Sequence, residues 1–354
     1  MTFFLCSLVV IGLTLTGCQG TEKNVEEQNA QVVVKESVIE EPVVNPVTIA
    51  FTGDVLFSDG VLNAYDNAGL TGILDQNLID ELNHADITVI NNEFPFSERG
   101  TQAEDKQYTF RVSPDRVHIL QEMGVDIASL ANNHSLDFGI EAMLDSMDTL
   151  SGAGIVPLGA GKNSTEAKQI AYLEREGKIF AFLAASRVIP VAEWTAGKNP
   201  GLFTTYDPTM LLEQIAEAET KADHVIVYVH WGVERENYPE DYQRNLGQMY
   251  IDAGADLVVG SHSHCLQGIE YYNDVPIVYS LGNFVFGSQI PTTALLKVTF
   301  EEGREPVLSV VPATGVNFYT STITEEGALK SFYDFYEEIS FGVGFANGVV
   351  LRME

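Results

Sequence analysis

In the segment Leu257-Val258-Val259-Gly260-Ser261-His262-Ser263-His264, a short apolar run stops abruptly at a polar, histidine-containing cluster. Four other short runs rich in valine or isoleucine also stop at polar clusters: Val47–Thr52 before Gly53-Asp54, Ile87–Ile90 before Asn92-Glu93, Ile127–Leu130 before Asn132-Asn133-His134, and Val225–Val229 before His230-Trp231-Gly232. Such runs predict buried strands, and the helical patterns between several of them predict a largely parallel α/β sheet. The functional crevice of an open α/β sheet lies beyond the carboxyl ends of its strands. We therefore expect these polar groups to converge on one edge of one sheet.

The converging side chains are carboxylates, amides and imidazoles, which together form the ligand set of a divalent-metal centre. His262 and His264 carry the strongest signal. On extended backbone, an H-x-H pair projects both rings to one side about 6–7 Å apart, so that they can serve two adjacent metals. Other clusters have ordinary explanations when taken singly. Gly53-Asp54 is a common strand-end turn, and a lone strand-end histidine such as His230 is more often structural.

The segment Ala131–Gly139 is unusual for a strand end. It contains two amides, the His134 imidazole and the Asp137 carboxylate. These groups are poor choices for packing because each needs a polar partner when it is buried. The segment therefore favours a functional site over a purely structural loop.

The amino-terminal region predicts export. Residues 1–17 contain no charged side chain, and an apolar run there ends in Leu15-Thr16-Gly17-Cys18. This pattern is typical of a signal peptide, and its ending resembles a bacterial lipobox, which implies a lipid on Cys18. A buried amino-terminal strand or a signal without lipid is the alternative. Residues 18–46 lack aromatic residues and predict a disordered acidic tether, so we expect a lipid-anchored protein on the outer face of the bacterial cell membrane.

Charge and composition limit the partners and the domain organisation of the remaining chain. The net charge is −31, and only 19 lysines and arginines occur, without forming a run, which argues against binding to nucleic acid.

Residues 47–354 suit one large α/β domain, with a core over 47–290 and a β-rich and helical addition over 291–354. Within it the sequence predicts helices and hairpins: helices Gln76–Asn83, Ile140–Leu150, Tyr242–Ala253 and Glu325–Ile339, helix starts at Ser113-Pro114 and Asp207-Pro208, and hairpins around Glu176-Gly177, Asn273-Asp274 and Glu302-Gly303.

Taken jointly, the polar clusters resemble those of the calcineurin-like metallophosphoesterases and, more closely, those of the CapA family of poly-γ-glutamate capsule synthesis proteins. The phrases that carry the resemblance run from about Val47 to Phe286: Phe51-Thr52-Gly53-Asp54, Asn92-Glu93, Leu130-Ala131-Asn132-Asn133-His134, Val229-His230-Trp231-Gly232, Gly260-Ser261-His262-Ser263-His264 and Ser280-Leu281-Gly282-Asn283-Phe284. The resemblance implies an α/β sandwich of two sheets flanked by helices, with the site at one edge.

The resemblance also implies roles for individual residues. Six would be metal ligands, with Glu93 bridging two ions: Asp54 and His264 for the first ion, and Asn133, His230 and His262 for the second. His134 would protonate a leaving oxygen or steady the transition state, and Asp137 would orient it. Arg111 would bind an anionic substrate group, because its planar fork suits carboxylate or phosphate.

One departure from the wider superfamily concerns the first ion. The superfamily motif is Asp-x-His, whereas Asp54 is followed by Val55 and Leu56. The first ion would therefore be weakly held, absent or completed by water. One or two divalent ions are expected, and the sequence does not distinguish manganese, iron, zinc and magnesium.

Three functions remain open at this point. The first, which we favour, is a metal-dependent hydrolase acting on a phosphoester or on an amide of an envelope polymer of the poly-γ-glutamate type. The second is a non-catalytic component that binds polymer and assembles with other capsule synthesis proteins. The third is an exported phosphoesterase or nucleotidase. Retention of His134 beside the second-ion ligands favours catalysis, and Leu56 favours the non-catalytic component.

Overall fold

The computed structural model describes residues 45–104 and 106–353. The predicted signal peptide 1–17, lipidated Cys18 and all of the predicted tether before residue 45 lie outside these residues. The described residues form one compact unit. Within the described ranges, no helix is both long enough and apolar enough to cross a membrane.

Strands and helices alternate through most of the described chain. The strands are β1 (Val47–Val55), β2 (Ile87–Asn92), β3 (Ile127–Ser129), β4 (Val156–Leu158), β5 (Ala160–Gly161), β6 (Ala171–Arg175), β7 (Lys178–Ser186), β8 (Gly201–Leu202), β9 (His224–His230), β10 (Leu257–Ser261), β11 (Leu266–Tyr272), β12 (Val275–Leu281), β13 (Asn283–Val285), β14 (Gln289–Phe300), β15 (Val307–Val316), β16 (Tyr319–Thr322), β17 (Val343–Ala346) and β18 (Val349–Arg352). The helices are α1 (Asp59–Ala68), α2 (Gln76–His84), α3 (His118–Glu122), α4 (Gly139–Gly152), α5 (Ser164–Ala167), α6 (Thr209–Glu219), α7 (Asp241–Asp252) and α8 (Glu326–Glu338).

These strands form two large sheets. The first has the order β17-β18-β15-β14-β1-β2-β3-β4, with β13 beside β1 and β16 beside β15. The second has the order β11-β12-β10-β9-β7-β6, and β5 pairs with β8 separately. All five strands predicted before the polar clusters are present, but β1, β2 and β3 lie in the first sheet whereas β9 and β10 lie in the second. The expectation of a single sheet is therefore wrong.

The two sheets pack face to face. Alternate residues of a strand point to opposite faces, so Phe51 of β1 joins Phe182 of β7 and Tyr228 of β9 in one buried apolar cluster between the sheets. Each fully buried side chain of this size contributes roughly 1.5–3 kcal/mol. Helices cover the outer faces, with Leu78 of α2 packing outside the first sheet and Tyr250 of α7 outside the second. The predicted two-sheet sandwich flanked by helices is confirmed.

Local sequence explains several element boundaries. The Asp75 side chain accepts a hydrogen bond from Leu78 N at 2.9 Å and begins α2. The three predicted hairpins are present as β6-β7, β11-β12 and β14-β15. Strand β14 pairs antiparallel with β1 from Val47 opposite Phe300 to Phe51 opposite Leu296. The predicted division of the domain at residue 290 thus falls within β14, and the segment beyond it widens the first sheet.

Candidate metal centre

Two glycines let the strand ends approach one another closely. A Cβ on Gly53 would lie 1.9 Å from the Gly282 carbonyl oxygen, and a Cβ on Gly260 would lie 2.1 Å from the Tyr279 carbonyl oxygen. Neither clash is tolerable, so only glycine fits at these positions. The next residue, Asp54, donates its backbone N–H to Gly282 O at 2.8 Å and is thereby fixed at the edge of the sandwich.

Side chains from both sheets meet at this edge. They form two overlapping groups that could hold a metal ion, with the ligand atoms of each group within 4.8 Å of one another. The first group is Asp54, Glu93 and His264, and the second group is Glu93, His230 and His262. Glu93 is therefore common to both groups, and the bridging role that the resemblance implied for it stays a prediction.

Glu93 is the residue of the centre that most needs a bound cation. Its side chain is fully buried, and neither carboxylate oxygen has a hydrogen-bond partner. Burial raises the pKa of Glu93 well above its usual range, and the nearby Asp54 charge adds to that rise. Glu93 Oε1 lies 3.9 Å from Nε2 of both His230 and His264. An unpaired buried carboxylate is costly, and a divalent cation between these atoms would satisfy it, so the donor set fits a metal ion.

The two imidazoles of the second group are buried and neutral. The His230 ring places Nδ1 3.0 Å from the Ser261 hydroxyl, which leaves Nε2 facing Glu93 and 2.9 Å from Asn133 Oδ1. His262 Nδ1 is buried without a partner. Burial, reinforced by the neighbouring His264, lowers the pKa of His262 to about 4, and burial lowers the pKa of His230 as well. Neutral imidazole is the form that coordinates a metal.

The first group carries more charge and is less enclosed. His264 Nδ1 lies 3.2 Å from Asp54 Oδ2 and 2.9 Å from Asn283 Oδ1. The other Asp54 oxygen accepts a hydrogen bond from Asn91 Nδ2 at 2.8 Å. Burial opposes a charge on His264, but the Glu93 and Asp54 carboxylates prevail and raise its pKa to about 10. The His264 side chain is 18% exposed, whereas the Asp54 and Glu93 side chains have no exposed surface.

The two histidines of the H-x-H pair do not lie on a strand. Strand β10 ends at Ser261, and His262 and His264 adopt φ values of 97° and 55°. The predicted extended backbone is therefore wrong, although the ring centroids are 5.9 Å apart and each ring serves a different group. Positive φ is rare for residues with a side chain, and such strain concentrates at functional sites.

His134 and Asp137 contact each other, and the catalytic and orienting roles that the resemblance implied for them stay predictions. His134 Nδ1 lies 2.8 Å from Asp137 Oδ2, which also accepts a hydrogen bond from Phe110 N at 2.7 Å. Burial lowers the pKa of His134, against the opposing effect of Asp137. Lys106 was not predicted. Its ammonium contacts Asp137 and the Asn133 carbonyl, and it lies 2.9 Å from His134 Nδ1.

Two asparagines beside the centre were also not assigned a role from the sequence. Asn132 Nδ2 donates to Asn91 Oδ1 at 3.0 Å and to the Asn92 carbonyl at 2.9 Å, and Asn91 in turn holds Asp54. The signal available in the sequence was their position at the ends of β2 and β3. Amides there can donate and accept at once, which lets them connect two strand ends.

Two further residues from the sequence analysis, Arg111 and Leu56, lie outside the two metal-binding groups. Arg111 is exposed, its guanidinium stacks 4.1 Å from the Phe138 ring centroid, and it donates to the Arg99 carbonyl at 3.1 Å. These contacts do not include the metal-binding groups, and a role for Arg111 in substrate binding stays a prediction. Leu56 is buried in the apolar layer between the first sheet and its helices, so position 56 packs the core.

Comparison with known proteins identifies the family. A family model described as "Bacterial capsule synthesis protein PGA_cap" matches residues 48–288. The chain belongs to this family. The match includes every residue of the two metal-binding groups, together with Asn133, His134 and Asp137.

Two curated relatives give the same assignment. The chain is 33% identical to "PGA biosynthesis protein CapA" of Bacillus subtilis (strain 168) over 242 residues, which cover 68% of this chain and 63% of that protein. It is 30% identical to "Capsule biosynthesis protein CapA" of Bacillus anthracis over 276 residues, which cover 75% of this chain and 67% of that protein. The match to the Bacillus subtilis protein thus spans less than two thirds of its length.

Solved structures show more distant similarity. A hypothetical protein from Thermus thermophilus is 19% identical, with a TM-score of 0.47 and coverage of 76% of this chain and 98% of the other. A putative 5′-nucleotidase from Staphylococcus aureus is 12% identical, with a TM-score of 0.46 and coverage of 83% of this chain and 58% of the other.

Proposed function

We propose that this protein is a metal-dependent hydrolase that acts on an anionic polymer of the bacterial envelope during capsule synthesis, cleaving a phosphoester or an amide. The observation that carries the proposal is Glu93, a fully buried carboxylate with two unpartnered oxygens between imidazoles from two directions. Such a group needs a cation. The mixed nitrogen and oxygen donors favour a transition metal such as manganese, iron or zinc over magnesium.

A divalent ion held here would act as a Lewis acid toward an oxygen of the substrate. The chain's own residues would hold His134 in position and supply a proton to the leaving group. Asp137 contacts His134 Nδ1 and would stabilise the imidazolium form of His134, whose Nε2 proton could then pass to a leaving oxygen. Lys106 connects Asp137 to the Asn133 carbonyl, so it fixes His134 relative to a metal-binding side chain.

The oriented His134 favours catalysis over a purely structural metal site. It is 6% exposed and packs 4.5 Å from the Phe110 ring centroid. His134 directly follows Asn133, whose Oδ1 lies 2.9 Å from His230 Nε2, and this proximity supports a role beside the second group. A site that only stabilises the fold has no use for such an imidazole with its own carboxylate partner.

We further propose that the protein works on the outer face of the cell membrane, held by lipid on Cys18. The charge-free, apolar segment that ends in Leu15-Thr16-Gly17-Cys18 supports this location. The names of the Bacillus relatives support a role in poly-γ-glutamate capsule synthesis, beside other capsule synthesis proteins. The net charge of −31 disfavours nucleic acid as a partner.

A second candidate function is a non-catalytic component that binds the polymer. Leu56 favours it, because this buried apolar residue replaces the histidine that the wider superfamily contributes to the first ion. The first group nevertheless retains three ligand-bearing side chains. We therefore favour the hydrolase over the non-catalytic component.

Turnover by the full-length chain, purified in detergent with manganese, tests the proposal. The substrates would be an aryl phosphate diester, a nucleoside monophosphate and a short γ-linked glutamate oligomer. We expect hydrolysis of the diester or the oligomer, and its loss in His134→Ala. Hydrolysis of the nucleotide alone would instead indicate an exported nucleotidase. Binding of the oligomer without any turnover would favour the non-catalytic component.

A further inference from the structure

A cleft of about 490 Å³ opens directly beside the first metal-binding group. His264 and Asn283 form part of its wall, and they contact each other at 2.9 Å. His264 is also the most exposed side chain of the first group, so that group opens toward the cleft. Pockets of several hundred Å³ accept more than a single small ion. A substrate reacting at the metal centre would therefore extend into this space.

The lining of the cleft is cationic, amidic and apolar. Arg235 supplies the positive charge, Asn237 and Asn283 supply amides, and Phe286 and Phe335 supply apolar surface. Among the described residues that line the cleft, none is an aspartate or a glutamate. This selection stands out in a chain with 50 acidic and 19 basic residues. A concave surface with a cation and no carboxylate attracts anions.

Arg235 is held at the cleft by its backbone. Its N–H donates to the Ser263 carbonyl at 2.7 Å, and Ser263 lies between the two histidines of the metal centre. Arg235 adopts a φ of 66°, a conformation that side chains rarely take. Among the described residues, the exposed guanidinium has no ion pair and no hydrogen bond, so its five donors remain available.

We propose that the cleft binds a second anionic group of the substrate, a carboxylate or a phosphate, through hydrogen bonds from the Arg235 guanidinium. Phe286 and Phe335 would pack against the part of the chain that links this group to the one reacting at the metal centre. A planar guanidinium matches both anions with two parallel hydrogen bonds. The substrate would therefore carry at least two acidic groups, one at the metal centre and one at Arg235. The inference rests on the proposed function in taking the metal centre as the place of reaction.

Binding measured by calorimetry on the full-length chain in detergent tests the proposal, with manganese and with a chelator in parallel. The probes are a short γ-linked glutamate oligomer, inorganic triphosphate and inorganic phosphate, so that carboxylate and phosphate chains are compared with an anion that fits the centre alone. The variant is Arg235→Gln, which keeps most of the stem and removes the charge. The matched control is Arg304→Gln, on the β14-β15 hairpin, where Arg304 pairs with Glu301.

We expect Arg235→Gln to weaken binding of at least one chain probe about tenfold or more, because it removes a charge-assisted pair. Arg235→Lys should restore part of the loss, since it keeps the charge without the fork. Inorganic phosphate binding and the Arg304→Gln variant should match the parent. Equal binding of both chain probes by the parent and Arg235→Gln would overturn the proposal. So would a parent that binds neither chain probe.

A second measurement locates the bound chain. Cys265 also lines the cleft, so an occupied cleft should slow its alkylation, which peptide mapping can follow in the full chain. The chain probe that binds should protect Cys265 in the parent but not in Arg235→Gln, and inorganic phosphate should protect in neither. Protection that persists in Arg235→Gln would contradict the role of Arg235. Binding that depends on Arg235 but is not followed by hydrolysis would refute the proposed hydrolase and leave the role of Arg235 intact. Hydrolysis that is unchanged in Arg235→Gln would refute the role of Arg235 and leave the proposed hydrolase intact.

Discussion

The two metal-binding groups share Glu93 but differ in almost every other respect. The second group is sealed, with two neutral imidazoles, and one ring nitrogen of His262 has no partner. In the first group, Asp54 and Asn283 already engage His264 Nδ1, and the ring is partly exposed beside a cleft. The His230 and His262 rings are already neutral, whereas His264, with its raised pKa, must lose a proton before it can bind a metal. The comparison predicts a tight ion in the second group and a looser ion, next to the substrate, in the first.

The largest expected effect comes from the residue that both groups share. Glu93→Gln should weaken binding of both ions by more than about 100-fold, because it replaces a negatively charged ligand with a neutral amide, whereas loss of an outer hydrogen-bond partner costs about 10- to 100-fold. Elemental mass spectrometry would measure the metal content. In a chelator the same variant should have a higher free energy of unfolding than the parent, since a neutral amide is easier to bury unpaired than a carboxylate. Unchanged metal content in Glu93→Gln would show that the two groups do not share a ligand.

The next effect separates proton transfer from metal binding. His134→Ala should reduce turnover by about 10²–10⁴-fold, the usual contribution of general acid–base catalysis, and should leave the metal content unchanged. Steady-state rates and elemental mass spectrometry on the same preparation would measure both. The control is His84→Ala, at an exposed histidine at the end of α2. Full activity in His134→Ala, or loss of metal from it, would show that His134 does not have the assigned role.

A third pair of variants compares the two groups directly. His262→Ala should remove the tightly held ion, whereas His264→Ala should remove only the looser one, because Glu93, His230 and His262 remain to hold the other. Manganese titration by calorimetry would resolve the two phases. The reverse pattern, with the tight phase lost in His264→Ala, would contradict the ranking of the groups.

The smallest expected effects concern the hydrogen-bond partners of the rings. Ser261→Ala removes the hydroxyl 3.0 Å from His230 Nδ1, and Asn283→Ala removes the amide oxygen 2.9 Å from His264 Nδ1. Each should weaken only the ion of its own group, by about 10- to 100-fold, because such partners orient the ring. The same titration would check this. Equal losses of both ions in either variant would mean that the groups bind metal as one unit.

Much of the centre was predictable because it lies at strand ends. Short apolar runs that stop at polar residues marked β1, β2, β3, β9 and β10, and parallel strands bring their carboxyl ends to one edge. The division of these strands between two sheets was not visible in the residues themselves. Neighbouring buried strands show the same apolar pattern in one sheet or in two, and the resemblance alone indicated the sandwich.

The missed residues come from irregular segments. Lys106 and Arg235 lie in loops without apolar periodicity, and their positions depend on long-range packing. Arg235 reaches the cleft through a hydrogen bond to Ser263, 28 residues along the chain, which no local pattern predicts. The left-handed turn at His262 and His264 was missed for a similar reason. Tertiary contacts impose positive φ there against the local preference of histidine.

The decisive measurement is the metal content of the full-length chain, determined by elemental mass spectrometry after incubation with manganese and removal of unbound ions. We expect about two ions per chain, with the looser ion lost first on dilution. Glu93→Gln and His262→Ala should lose the tight ion, and His134→Ala should retain it. A parent without bound metal, or variants that all bind metal as the parent does, would show that these residues do not form a metal centre.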